Sequence, residues 1–154
     1  MQKNAIVLAA GKGTRMHSEL PKVLHKILEV PMVEFIVRHL QEAGAEKIIT
    51  ITGYGHTLVE KVLAGQCDFA LQEPQLGTGH AVMQAKQLEN EDGATIVING
   101  DAPVIQTDTL VSLYEGVKNA DMTILTTILD EAASYGRIVR NRQGQVLKVV
   151  EAKD

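Results

Sequence analysis

The chain has 154 residues, 45% hydrophobic and 22% charged, the balance of one ordinary globular domain with material for a real core. Only 3% are aromatic, so that core is expected to be aliphatic, and a single cysteine, Cys67, excludes a disulfide framework or a cysteine-rich metal site. The net charge of −4 argues against general nucleic-acid binding. Lys3 and Asn4 lead straight into a short apolar run with no cleavage-site pattern, and no run reaches the length of a membrane span. The cytoplasm is the expected location.

Taken in chain order, residues 5–10 predict a first buried strand. Residues 31–43 predict a helix with Val33, Ile36, Val37, Leu40 and Ala43 on one face, Pro31 in its first turn and Gly44 in a left-handed position after its end. Residues 47–52 read as strand two and 56–63 as a shorter helix closed by Gly65. Residues 68–72 read as strand three, preceded by Cys67 as a small buried thiol. A long turn to Gly79 follows, then a helix to about Leu88. The continuous aliphatic run at 94–99 predicts a fourth strand covered on both faces. Thr107 is a suitable N-cap for a helix at 108–119 with Leu110, Val111, Tyr114 and Val117 inward. Residues 122–129 predict a fifth strand, and 137–140 and 146–150 a hairpin about Asn141-Arg142-Gln143-Gly144.

Strand–helix alternation of this kind predicts an α/β fold with a mostly parallel sheet flanked by helices. Ligands in such sheets lie beyond the carboxyl ends of the strands, so the loops after strands one, three and four, at Gly11, Glu73 and Asn99, should converge. The first of them carries Leu8-Ala9-Ala10-Gly11-Lys12-Gly13-Thr14-Arg15-Met16, followed by Leu20-Pro21-Lys22. Glycines at a strand end let backbone N–H groups approach an anion, and Arg15 and Lys22 add positive charge. Met16 stands where a dinucleotide fingerprint needs its third glycine, and the P-loop spacing is absent. Residues 11–26 carry a net +3 and the remaining chain −7, so a compact basic patch sits on an acidic body. That suits a small anionic substrate better than a polymer. Taken alone, the same residues also describe a tight turn with solvated lysines.

These segments resemble the signature of the sugar-phosphate nucleotidyltransferases. Gln72-Glu73-Pro74-Gln75-Leu76-Gly77-Thr78-Gly79-His80-Ala81, Asn99-Gly100-Asp101-Ala102-Pro103 and Tyr135-Gly136-Arg137-Ile138 extend the likeness in order. Together they are similar to the bacterial bifunctional N-acetylglucosamine-1-phosphate uridylyltransferase/glucosamine-1-phosphate acetyltransferases, over essentially the whole chain. The resemblance implies a Rossmann-like sheet of the nucleotide-diphospho-sugar transferase type across residues 1–154. It also implies a domain incomplete at its C-terminus, because the family's domain continues and joins a left-handed β-helix that carries the acetyltransferase and makes the trimer. The implied partners are UTP, N-acetylglucosamine-1-phosphate, UDP-N-acetylglucosamine and pyrophosphate, with Mg²⁺ as cofactor, in envelope (peptidoglycan and lipopolysaccharide) precursor synthesis. No nucleic acid is implied.

Positioning and charge neutralisation dominate such transfers, so donors, cations and a metal carboxylate are expected rather than a nucleophilic triad. By resemblance Arg15 neutralises the leaving pyrophosphate and Lys22 sits near the α-phosphate, the two catalytic candidates. Leu8, Ala9, Ala10 and Gly11 line the triphosphate, with backbone N–H groups from Ala10 to Gly13 as a cradle. Gln72, Gly77 and Thr78, with Gln75 in the same loop, read the base. A glutamine amide matches uracil's imide N–H and carbonyl. Asn99, Gly100 and Asp101 border the nucleotide, and Asp101 is the metal candidate, since Mg²⁺ takes one or two carboxylates plus phosphate oxygens and water. Gly-Asp-Ala-Pro is also good turn chemistry. Gly136 and Glu151 are implied on the sugar side. His17, His25, His39, His56 and His80 have no metal spacing, and none is assigned a catalytic role; His80 is expected to bond locally. A CTP- or GTP-using relative, another sugar phosphate, or a nucleotide-binding piece without turnover are the alternatives.

Overall fold

The computed structural model describes residues 1–131, 133 and 135–151, apart from the side chain of Arg15. They fall into two compact units, Met1–Thr123 and Ile124–Asp154.

The first unit is built on four parallel strands: β1 (Lys3–Leu8), β4 (Lys47–Thr52), β5 (Asp68–Leu71) and β6 (Ala94–Asn99), in the order β5-β4-β1-β6. The α/β expectation holds. Strand side chains alternate between faces, and β1 shows why the sheet is two-sided. Ala5, Val7 and Ala9 enter one core, and Ile6 and Ala10 the other. The larger core takes the apolar face of α1 (Met32–Glu42), where Val33, Ile36, Val37 and Leu40 are fully buried, as their spacing predicts. Each such side chain contributes roughly 1.5–3 kcal/mol by leaving water. Pro31 precedes the helix instead of entering its first turn, and Gly44 takes φ +87 beyond its end. The same core includes Val59 of α2 (His56–Val62), and Leu110 and Tyr114 of α4 (Thr107–Gly116). Gln106, not Thr107, is the residue before α4. A two-residue ladder, β2 (Lys26–Ile27) with β3 (Val30–Pro31), closes through Leu28 and Glu29, both at positive φ. That hairpin has no sequence signal, since such turns favour Asn and Gly.

Three further expectations fail. The run at 94–99 is not covered on both faces: Ala94, Ile96 and Ile98 are buried, whereas Thr95, Val97 and Asn99 are exposed. β6 is an edge strand. The second core gathers around β1 and β4, over which α3 (Thr78–Val82) is only five residues long and a separate 3₁₀ turn spans Lys86–Leu88. The long helix expected to Leu88 is thus broken in two. Residues 122–129 form no strand, because no ladder partner pairs with them among the described residues. Met122 and Ile128 are 70% and 99% exposed.

In the second unit, β7 (Arg137–Arg140) and β8 (Val146–Val150) form the expected antiparallel hairpin. Asn141 stabilises its turn by accepting N–H bonds from Gln143 and Gln145 at 3.0 and 2.9 Å.

Candidate functional site

The register brings the strand ends to one level: Leu8 stands opposite Ile51 and Asn99, and Thr52 opposite Leu71. The loops that follow all leave from one rim. Chain order reverses at β1, and the crevice at such a reversal is where α/β sheets bind ligands. An open cleft of about 440 Å³ lies there, a volume in the usual range for small-molecule sites. Leu8, Ala9, Ala10, Gly11 and Gly13 line it from the first loop, with Lys22 and Val23 beyond; Gln72, Gln75, Gly77, Thr78 and Ala81 line another side, and Asn99 and Asp101 a third. The three loops singled out in the sequence therefore meet. Gly100 lies beneath the lining and donates its N–H to the Leu8 carbonyl at 2.9 Å.

The two glycines of the first loop do different work. Gly13 has φ +66, and a Cβ on it would stand 2.6 Å from the Lys22 Cβ, so the turn requires glycine there. Gly11 meets nothing within 4 Å and leaves its surroundings open to the cleft. Lys22 starts a 3₁₀ turn, Lys22–Leu24, after Pro21; Val23 and Leu24, 4% and 5% exposed, anchor that turn in the core. From this base the Lys22 ammonium donates to Asp101 Oδ2 in an ion pair. Among the described residues there is no group of three His, Cys, Asp or Glu side chains suited to hold a metal. A single carboxylate already paired with an ammonium fits a divalent cation that arrives with phosphate oxygens of its own.

Gln72 is 4% exposed. Its Nε2 donates to the Gly77 carbonyl at 2.9 Å and lies 3.1 Å from His80 Nδ1. With Nδ1 as acceptor, both amide hydrogens are used and Oε1 alone is left for a ligand. His80 thus bonds locally, as expected. Among the described residues no histidine lines the cleft: His56 faces Glu60 at 3.4 Å, and His25 Nε2 and His39 Nδ1 are buried without partners among the described residues.

The side chain of Arg15 lies outside the described residues; its backbone belongs to the 3₁₀ turn Thr14–Met16. Gly136 and Glu151 lie in the second unit at the open end of the hairpin, where a Cβ on Gly136 would be 3.7 Å from Glu151 Oε2. Cys67 is half-buried before β5, 3.2 Å from the Thr50 hydroxyl, and burial pushes its thiol pKa up. Sequence reasoning passed over the loop after β4, Gly53-Tyr54-Gly55. Its signal was the same as the others': glycines at the carboxyl end of a parallel strand.

Three comparisons bear on this geometry. The chain is 51% identical to the bifunctional protein GlmU of Limosilactobacillus reuteri, over 99% of this chain and 34% of that protein. It thus spans about a third of the length of the curated relatives it matches. Among solved structures, it superposes on a UDP-glucose pyrophosphorylase from Acinetobacter baumanii with a TM-score of 0.78 at 21% identity, covering 98% of this chain and 68% of the other. It also superposes on Rv0371C of Mycobacterium tuberculosis, solved in complex with manganese, with a TM-score of 0.61 at 21% identity, covering 77% and 60%. At that identity the two likenesses speak for the fold. Residues 5–145 match the MobA-like NTP transferase domain, and the chain belongs to that family.

Proposed function

We propose that this chain carries the uridylyltransferase site of a bifunctional enzyme, one that joins UTP and N-acetylglucosamine-1-phosphate into UDP-N-acetylglucosamine and pyrophosphate. A sugar-phosphate oxygen attacks the α-phosphorus; the new P–O bond forms as the bond to the bridging oxygen of the leaving pyrophosphate breaks. The observation that carries this reading is the meeting of a glycine-rich loop, the Lys22–Asp101 pair and the Gln72–Thr78 loop on one cleft.

Each role follows from what a residue offers. Backbone N–H groups of residues 10–13 and the Lys22 ammonium face the phosphates, and Arg15 stabilises the leaving pyrophosphate. Oε1 of Gln72, whose Nε2 donates to the Gly77 carbonyl, accepts from a base edge that carries an N–H, as uracil N3 does. Gln75, Gly77 and Thr78 complete that wall, and Asn99 and Gly100 support Asp101. The family resemblance assigns Gly136 and Glu151 to the sugar. Asp101 would hold Mg²⁺, whose charge, when bound, offsets that of the triphosphate. The manganese complex of the M. tuberculosis relative supports a divalent metal. The remainder of the relatives' length would supply the other metal and sugar ligands and the β-helical acetyltransferase trimer. No helix among the described residues is long and apolar enough to cross a membrane, which accords with the cytoplasm.

The test is pyrophosphate release with UTP, CTP, GTP and ATP beside calorimetric binding of each. UTP is expected to bind best, and Asp101→Asn to abolish the contribution of the metal. A preference for CTP would overturn the uridine assignment, and UTP binding without turnover would make this a nucleotide-binding piece of the larger enzyme.

A further inference from the structure

The stretch from Gly11 to Leu20 is long and mostly exposed, and among the described residues the bonds within it are short-range: Met16 N–H to Gly13, His17 N–H to Thr14, Leu20 N–H to the Ser18 hydroxyl. Bonds this local do not by themselves fix where the loop's N–H groups stand relative to the sheet. Among the described residues, its one hydrogen bond to another part of the fold comes from the Tyr54 hydroxyl, which donates to the Glu19 carbonyl at 3.0 Å. The same residue reaches two more points. Its backbone N–H donates to the Ala10 carbonyl at 3.1 Å, and Lys12 Nζ stands 5.1 Å from the centre of its ring. Gly53 and Gly55 allow this closeness: a Cβ on Gly53 would lie 2.8 Å from both the Ala10 carbonyl oxygen and Gln75 Nε2, and one on Gly55 would lie 2.5 Å from Pro21. The turn after β4 thus touches the phosphate loop near its start, at Ala10 and Lys12, and near its end, at Glu19 and Pro21, and the base-side loop at Gln75.

We infer that Tyr54 is a positioning residue for the phosphate-binding loop, acting through residues 10–22 on the triphosphate and not on the base. This rests on the nucleotide reading of the cleft. The hydroxyl fixes the far end of the loop, the ring holds Lys12 by a cation–π contact that costs the ammonium little of its hydration, and the backbone N–H fixes the near end. A loop ordered beforehand does not have to be ordered by the ligand, so the nucleotide binds with less entropy lost.

The experiment uses this chain with Tyr54→Phe and Tyr54→Leu. Tyr54→Phe keeps the ring and loses one hydrogen bond, so UTP affinity should fall about fivefold; Tyr54→Leu loses the ring as well and should fall further, by about tenfold or more. Uridine, which has no phosphate, should bind all three proteins alike. Amide exchange should rise in residues 11–20 of the variants and stay unchanged in β1 and β4. Unchanged UTP affinity in Tyr54→Leu overturns the inference, as does an equal loss for uridine and UTP, or exchange that rises throughout the sheet. A wild-type chain that binds neither ligand defeats the nucleotide reading instead; unchanged exchange in residues 11–20 of Tyr54→Leu would then defeat the loop-holding role separately.

Discussion

Exchanging Lys22 for glutamine takes the ammonium off Asp101 and keeps a polar side chain of similar reach. The pair is partly open, its side chains 36% and 28% exposed. Ion pairs this accessible net about 0.2–1 kcal/mol after screening and side-chain entropy, and Lys22, more than a third exposed, belongs low in that range. Urea unfolding should therefore shift by ~0.5 kcal/mol or less. Metal affinity is the sharper readout, because a divalent cation has to displace the ammonium to reach the carboxylate. Removing a competitor worth about 0.2–0.5 kcal/mol tightens Mn²⁺ binding up to about twofold in the absence of nucleotide. The loss of free Mn²⁺ signal in an electron paramagnetic resonance titration measures it. Lys12→Gln is the control, since it removes the same charge from above the Tyr54 ring and not from Asp101. With UTP present the order should invert, because Lys22→Gln also loses a phosphate contact. Unchanged or weaker Mn²⁺ binding by Lys22→Gln, or an equal gain in Lys12→Gln, would refute the competition.

Two further outcomes test the scaffold. Burial pushes the Tyr114 phenol up to about 12 from its usual 10, so the folded state favours the neutral form. That stabilisation is complete below pH 10 and is lost as pH rises toward 12, by about 3 kcal/mol in all. Urea unfolding between pH 9 and 12 should show the loss in the wild type and not in Tyr114→Phe, and identical profiles would contradict it. Leu40 is fully buried in the larger core, so Leu40→Ala should lower the unfolding free energy by about 2–5 kcal/mol. A cost under about 1 kcal/mol would mean that α1 packs more loosely than its burial indicates.

Periodicity made most elements legible. The spacing of Val33, Ile36, Val37 and Leu40 specifies a one-sided helix whatever surrounds it, and the apolar runs of β1 and β4 specify strands. Glycines and charges near strand ends marked three of the rim's loops. The open face of β6 was not legible, because aliphatic residues at Val97 and Ile98 look alike until the reach of α3 decides which is covered. Residues 122–129 have strand composition, but a strand also needs a neighbour to accept its hydrogen bonds, and composition names no neighbour. Lys22 and Asp101 lie 79 residues apart, and nothing local at either position records their pairing. The role of Tyr54 was hidden for the same reason. Side-chain pattern is written in near neighbours along the chain, whereas the distance between loops depends on which strands lie side by side, and that follows from packing the whole sheet at once.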